Sequence, residues 1–275
     1  MPGINPLVWF LLFPVRWYIR YFPIARGKGI LLRVFIYPAI PVAGDFITQL
    51  GGGAQLKLQY RGALGLSTLL CGSFEKAELA FMRRHIPSAS TVIDVGANVG
   101  LFSVTFGYAV GSAGQVLAFE PLVSNMERLR ENIALNGLMN VKIYGSALGE
   151  SEGEATLHLA DDPAFTSTTT VTGRHTGVNV KVPVTRLDTV WQSLSCPAIA
   201  AIKLDVEGGE LAVLKGGESL LKTCRPILLV EAAAPEYLQQ ITTWLSGFGY
   251  RRLQPKGFEP WNHLFIHPLN FPESL

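Results

Sequence analysis

The stretch Thr91-Val92-Ile93-Asp94-Val95-Gly96-Ala97-Asn98-Val99-Gly100 decides how this chain folds. It opens on β-branched and apolar residues, turns through two glycines and runs into the apolar segment Leu101 to Val110. That order predicts a strand, a tight loop and a helix. Gly96 and Gly100 permit backbone conformations closed to most residues and let a ligand come close to the main chain. The loop differs from the G-x-G-x-x-G of dinucleotide sites, because the third glycine is missing and an acid, Asp94, precedes the first.

Moving outward, a second strand is predicted over Val116 to Glu120, so that Glu120 ends it twenty-six positions after Asp94. In a βαβ unit an acid at that place can accept hydrogen bonds from both ribose hydroxyls. Asp94, at the end of the first strand, repels a pyrophosphate and attracts a cation. The α-amino and sulfonium groups of S-adenosylmethionine are cations that fit. Next comes a helix signed by a capping box, Ser124-x-x-Glu127, with Met126, Leu129 and Ile133 on one face and Gly137 closing it. A third strand is expected near Val141 to Ala147, a fourth over Ile199 to Val206 and a fifth over Pro226 to Glu231. A helix from Pro235 and strands near Tyr250–Leu253 and Trp261–His267 complete the pattern. Strands alternating with helices predict a parallel sheet. Between residues 150 and 190 the alternation is interrupted by two added strands, Ala155–Leu159 and Val178–Val182, around the polar loop Thr166–Thr170.

These residues resemble the FkbM family of S-adenosylmethionine-dependent methyltransferases. The similarity rests on Asp94–Gly100, Phe119-Glu120-Pro121, Asn132-x-x-x-Asn136, Ser146-Ala147-Leu148-Gly149, Lys203-Leu-Asp205-Val-Glu207-Gly-Gly-Glu210 and Arg225-Pro226 through Glu231, with Gly72-Ser73-Phe74-Glu75 upstream. It covers about residues 70–235. Gly208-Gly209 stands where the family often has Gly-Ala. The resemblance implies a Rossmann-like class I methyltransferase: an α/β fold with a mostly parallel seven-stranded sheet and helices on both faces. It commonly implies O-methylation of a sugar or polyketide hydroxyl. Cofactor contacts are then expected from Asp94, Gly96, Ala97, Asn98, Gly100, Glu120 and Pro121, and, by fold analogy, from Ser146 and Ala147 near the adenine.

Asp205, Glu207 and Glu231 are the expected catalytic acids. Period-2 alternation puts Lys203, Asp205 and, if the strand continues, Glu207 on one side. Glu231 ends the neighbouring strand, and ligands of open α/β sheets bind beyond the strand C-termini. A hydroxyl acceptor must shed its proton, and Asp205 is the first choice of base, with Glu207 and Glu231 supporting it. A carboxylate of ordinary pKa is a weak base, so either burial raises it or a divalent cation acidifies the hydroxyl. Metal-free base catalysis is the favoured alternative. His263 and His267 form H-x-x-x-H on a predicted strand, which argues against zinc.

Composition sets outer bounds. The 275 residues are 48% hydrophobic and 16% charged, excluding a disordered, collagenous or coiled-coil chain. Three scattered cysteines suit a reducing, cytoplasmic setting. A net charge of +2 makes no argument for nucleic acid, and neither an Asp/Asn-Pro-Pro-aromatic motif nor a basic groove is visible in the catalytic part. The expected partner is therefore a hydroxyl-bearing metabolite or glycan and not a nucleic acid. The rivals are an N-methyltransferase and a non-catalytic cofactor-binding scaffold.

The first 44 residues differ from the rest. They hold Arg16, Arg20, Arg26, Lys28 and Arg33 but no Asp or Glu, and are rich in Phe, Trp and Tyr. Their longest apolar run, Leu7 to Phe13, is far short of the roughly 20 residues that cross a bilayer. Residues 1–40 read as short amphipathic helices broken at Pro14, Pro23 and Pro38. They serve either as an arm packed on protein or as a contact with the inner face of a membrane. A hairpin over residues 45–60 and a helix near Phe74–His85 follow. The expected organisation is an extension over residues 1–88 and a methyltransferase domain over 89–275.

Overall fold

The computed structural model describes residues 44–60, 63–160 and 175–270, with Phe10, Phe13, Pro14 and Trp17 as single helical positions. Expectations for Arg16 and Arg20, for breaks at Pro23 and Pro38 and for Thr166–Thr170 fall outside these residues. Pro14 is itself helical, and the residues that would show a break there fall outside the described ones. Among the described residues no helix is long and apolar enough to cross a membrane.

The chain divides into two compact units, residues 1–74 and 75–275. In the first, β1 (Asp45–Gly51) and β2 (Ala54–Gln59) form the expected antiparallel hairpin, with Phe46 opposite Leu58. Alternation buries Phe46, Leu56 and Leu58, and Tyr60 stacks on Phe46 with ring centroids 5.3 Å apart. Helix α1 (Ala63–Cys71) follows.

The second unit begins earlier than the expected boundary at residue 88, because α2 (Lys76–His85) packs on α3 (Leu101–Val110). Its sheet is built from β3 (Thr91–Val95), β4 (Gln115–Phe119), β5 (Val141–Tyr144), β9 (Ile199–Leu204), β10 (Ile227–Glu231), β11 (Arg251–Leu253) and β12 (Asn262–Ile266). The seven strands run in the order β11-β12-β10-β9-β3-β4-β5. The five from β10 to β5 are parallel, and β12 is antiparallel to both neighbours. This is the expected Rossmann-like class I arrangement. Order reverses at β3, where the chain goes first to β4 and later returns to β9 on the other side. Ligands of open α/β sheets bind outside the strand ends at such a reversal.

Alternation along the strands assigns their two faces. Ile93, Val95, Leu117, Phe119, Ile202, Leu204, Leu228 and Val230 pack on one side. Their partners there come from α5 (Leu187–Ser193), α6 (Glu210–Gly216), α7 (Glu218–Cys224) and α8 (Pro235–Ser246). On the opposite side Ala118 meets Leu129 and Ile133 of α4 (Val123–Leu135), and Asp94 and Lys203 face α3. The central strands are buried on both faces, as parallel strands are.

Three local expectations are corrected. The capping box does not form: Leu122 is the N-cap of α4, without a side-chain cap, and Glu120 Oε1 accepts the Leu122 N–H at 2.9 Å instead. The third strand stops at Tyr144, and Ala147–Leu148 forms β6 in a separate three-stranded sheet. There it joins β8 (His175–Thr185), which pairs with β7 (Gly153–Ala160) as the expected insertion. Finally, β9 ends at Leu204, short of Glu207. The Asp205 N–H donates to Val95 O, and positive φ at Glu207 and Gly208, 55° and 103°, turns the chain away. Glu207 therefore belongs to a loop rather than to the alternation of the strand.

Candidate active site

The β3–α3 loop is shaped by contacts that leave no room for larger residues. Gly96 has φ 77°, and a Cβ there would sit 1.8 Å from the Asp205 carbonyl oxygen. Gly96 and Ala97 N–H both donate to Phe119 O, at 3.0 and 2.9 Å. Asn98 has φ 50°, and Asn132 Nδ2 donates to Val99 O at 2.8 Å, tying the loop to α4. The loop is thus pinned to the ends of both β4 and β9.

A cavity opens where these ends meet. Gly96 and Asn98 line it from the first loop, Glu120 and Pro121 from the end of β4, and Ser146 and Ala147 from the segment after β5. Asp205 and Glu207 complete it from the loop after β9. The void there is about 710 Å³ with the open solvent at its mouth included. Eight of the twelve expected site residues share this one wall. Sequence reasoning missed Leu122, Asn125, Leu148 and Leu157, which also line it. Asn125 stands one turn beyond Glu120, a usable signal. Leu157 comes from the insertion, where alternation shows which residues share a face but not what that face meets.

The other four expected residues are not on the wall. Asp94 is buried on the α3 side of the sheet, accepting a hydrogen bond from Ser103 Oγ at 2.5 Å. It lies beside Lys203 in register. Ala97 packs in the core with Leu129, and a Cβ at Gly100 would strike Leu129 Cδ1 at 2.6 Å. Both serve packing of the loop. Glu231 stands behind Asp205. One carboxylate oxygen each from Asp205, Glu207 and Glu231 lies within 4.8 Å of the others, a spacing at which the three could hold a divalent cation.

Electrostatics separates the acids. Glu120 accepts the Asn98 N–H on Oε2 and the Leu122 N–H on Oε1, each at 2.9 Å, with Asn125 Nδ2 at 3.4 Å. Burial still pushes its pKa up to about 7. Burial alone would raise Asp205, but the ammonium of Lys203 beside it and a hydrogen bond from Glu231 hold it below the usual carboxylate range. Glu231, buried and facing Asp205, is pushed up to about 10 and keeps its proton at neutral pH. Glu207, half-buried next to Asp205 and Glu210, is raised to about 7. Glu210, the first residue of α6, holds the preceding loop, its carboxylate accepting N–H bonds from Val206 and Gly208.

Lys203 is the hub of this arrangement. Its side chain is 2% exposed, and its ammonium lies 5.0 Å from the Phe102 ring centre. Asp205, Glu75 and Glu231 offset the burial that would otherwise discharge it. Glu75, at the start of α2, is a second residue whose part the motifs did not disclose. It has φ 46°, accepts Asn262 Nδ2 at 2.6 Å and is raised by burial to about 7. His263 is engaged elsewhere, with Gln254 and the Ala232 carbonyl.

Residues 94–252 match the model of the methyltransferase FkbM domain. The chain belongs to the FkbM methyltransferase family. Among curated relatives, the methyltransferase sdnD of Sordaria araneosa is 32% identical over 163 residues, covering 48% of this chain and 62% of its own length. A ribosomal protein L11 methyltransferase of a Thermoanaerobacter species is 28% identical over 148 residues, covering 53% of this chain and 43% of its own. The chain thus spans less than two thirds of either relative. The crystal structure of an FkbM methyltransferase from Methylobacillus flagellatus has a TM-score of 0.44 at 17% identity, over 70% of this chain and 51% of that one. Matches also include rRNA methylases. None of these likenesses supports the expectation that nucleic acid is not a partner.

Proposed function

We propose that this chain transfers a methyl group from S-adenosylmethionine to a hydroxyl of a sugar, glycolipid or secondary metabolite. The observation that carries the reading is the single cavity in which Glu120, Asn98, Asp205 and Glu207 meet at the ends of β3, β4 and β9. Its donor set suits the methyl donor. When ionised, Glu120 is an acceptor-only carboxylate with lone pairs left for ribose hydroxyls, and Leu122, Leu148 and Leu157 supply apolar wall for a flat base. The acids complement the cationic end. Asp94 supports the site from behind through Ser103 rather than touching the donor.

When bound, the donor supplies an electrophilic methyl group and departs as a neutral thioether. The chain's own task is to orient the acceptor hydroxyl and take its proton. Asp205, held ionised by Lys203, is the weakest base of the three acids. Glu231 retains its proton and steadies Asp205 by donating to it. Glu207, with its pKa brought near neutrality, is the best matched, so the base role moves from Asp205 to Glu207. The Lys203 ammonium already answers the charge of Asp205, which favours metal-free proton transfer; chelator-insensitive turnover is expected.

The test is incubation of the protein with labelled donor and fractionated glycolipids and metabolites, with mass spectrometry for a one-methylene gain. Glu207→Gln should lower kcat by about 10²–10⁴-fold while donor binding persists. Wild-type kcat should rise with pH through about 7. Turnover on ribosomal protein or RNA alone, or full activity in Glu207→Gln, would overturn the acceptor class or the base respectively.

A further inference from the structure

Glu207 sits in the loop between β9 and α6 in a conformation that few side chains adopt. Its φ is 55°, in the left-handed region, and a residue other than glycine stays there only where its surroundings hold it. Those surroundings lie on either side of it in the chain. Upstream, the Asp205 N–H donates to Val95 O at 3.1 Å. The Val206 N–H before Glu207 and the Gly208 N–H after it both donate to one side chain, that of Glu210. They reach its Oε1 at 3.0 and 3.1 Å, and Gly208 N–H also meets Oε2 at 3.1 Å. Glu210 thus closes a clasp across Glu207.

Glu210 is not on the cavity wall, whereas Val206, Glu207 and Gly209 are. It is 1% exposed and is backed by α8. The Tyr237 ring packs on the core there. Its hydroxyl accepts the Leu211 N–H at 2.9 Å and donates to the Glu210 carboxylate. A carboxylate suits this place because its lone pairs can receive two backbone donors and a phenol together. Neither Val206 nor Gly208 belongs to α6, so these bonds fix the loop rather than the helix. Without them two backbone N–H groups beside the cavity would lose their acceptor, which is costly wherever water is excluded.

We propose that Glu210 is the positioning residue that holds Glu207 toward the acceptor hydroxyl, with Tyr237 holding Glu210 in turn. The inference rests on Glu207 as the base of the methyl transfer and adds the groups that set its place. A base works only within hydrogen-bond reach of the proton it takes, and a displacement of about 1 Å can cost about 10²-fold in rate.

The experiment uses the full chain and reads amide hydrogen exchange, titration with S-adenosylmethionine, and kcat and KM for the acceptor found in the extract screen. Glu210→Ala should speed exchange of the loop that carries Val206 and Gly208 and lower kcat by about 10²-fold. Donor affinity and acceptor KM should stay as in wild type. Glu210→Gln keeps an oxygen where Oε1 receives both N–H groups, and should restore most of that loss. Tyr237→Phe keeps the ring and should lower kcat in the same direction by less. Placed on Glu207→Gln, either Glu210→Ala or Tyr237→Phe should cost less than about twofold more, because both act through the one side chain already removed. A loss as large there as in wild type would make Glu210 a general support of the fold and overturn the proposal. Unchanged exchange or unchanged kcat in Glu210→Ala overturns it too. If Glu210→Ala fails to bind the donor, Tyr237→Phe alone and on Glu207→Gln decides by the same criterion. Full activity in Glu207→Gln removes the base and this proposal together, whereas a slow Glu207→Gln with undiminished losses from the other variants removes this proposal alone.

Discussion

Glu120 carries two backbone donors at 2.9 Å and still has a pKa near 7. Burial outweighs those bonds, so the carboxyl is part neutral around physiological pH. A neutral carboxyl loses acceptor capacity, and donor affinity should therefore fall as pH drops through about 7. Titration calorimetry across that range checks the sign. Glu120→Gln should bind the donor about tenfold or more weakly, since a hydrogen bond to a charged group contributes about 1.5–3 kcal/mol, and its binding should be nearly flat with pH. Lys203 makes the complementary point. Replacing it by Met leaves Asp205 and Glu231 buried without their cation, and denaturant unfolding should show a loss of about 3–5 kcal/mol. Glu120 and Asp205 were legible from their places at strand ends. Glu75 was not: it enters from a separate helix, a relation that leaves no spacing in the chain.

Among the elements, the β3–α3 loop was read correctly because its glycines answer to geometry rather than to propensity. Gly96→Ala should show why. The new Cβ would press on the Asp205 carbonyl at a φ of 77°, and the combined strain should cost about 2–4 kcal/mol in chemical denaturation. Central strands were legible as short apolar runs between turn signals. Where the reading failed, a tertiary bond had overruled a local pattern. Ser124 and Glu127 have the spacing of a capping box, yet Glu120 takes the Leu122 N–H. Reading Ile199–Val206 as one strand failed for a backbone reason: β9 stops at Leu204 and positive φ at Glu207 and Gly208 turns the chain away. Short helices α5, α6 and α7 carry too few turns for periodicity to reveal them.

For the whole molecule, raised carboxyl pKa values add up to a dependence of stability on pH. Glu75, Glu120 and Glu207 are pushed up to about 7, Asp94 to about 6 and Glu231 to about 10. Unfolded, these groups titrate near 4, so above that pH the folded state holds more protons than the unfolded chain. Stability then falls as pH rises. Thermal unfolding should be harder at about pH 5.5 than at about pH 8, by at least 1–2 kcal/mol near the midpoint. Saturating donor should narrow that gap. Part of this design was visible in the sequence, as acids crowding the strand ends. Their depth was not, because burial depends on α2, α3 and the insertion closing over them. The closeness of Gly96 to the Asp205 carbonyl also governs traffic. With no side chain between them, the two loops share one seam of main chain, and neither opens without prising the other. Under the proposed chemistry, departure of the spent donor disturbs the acids, and an acceptor still clasped by them delays it. A shift of one loop as the donor comes or goes is thus passed directly to the other.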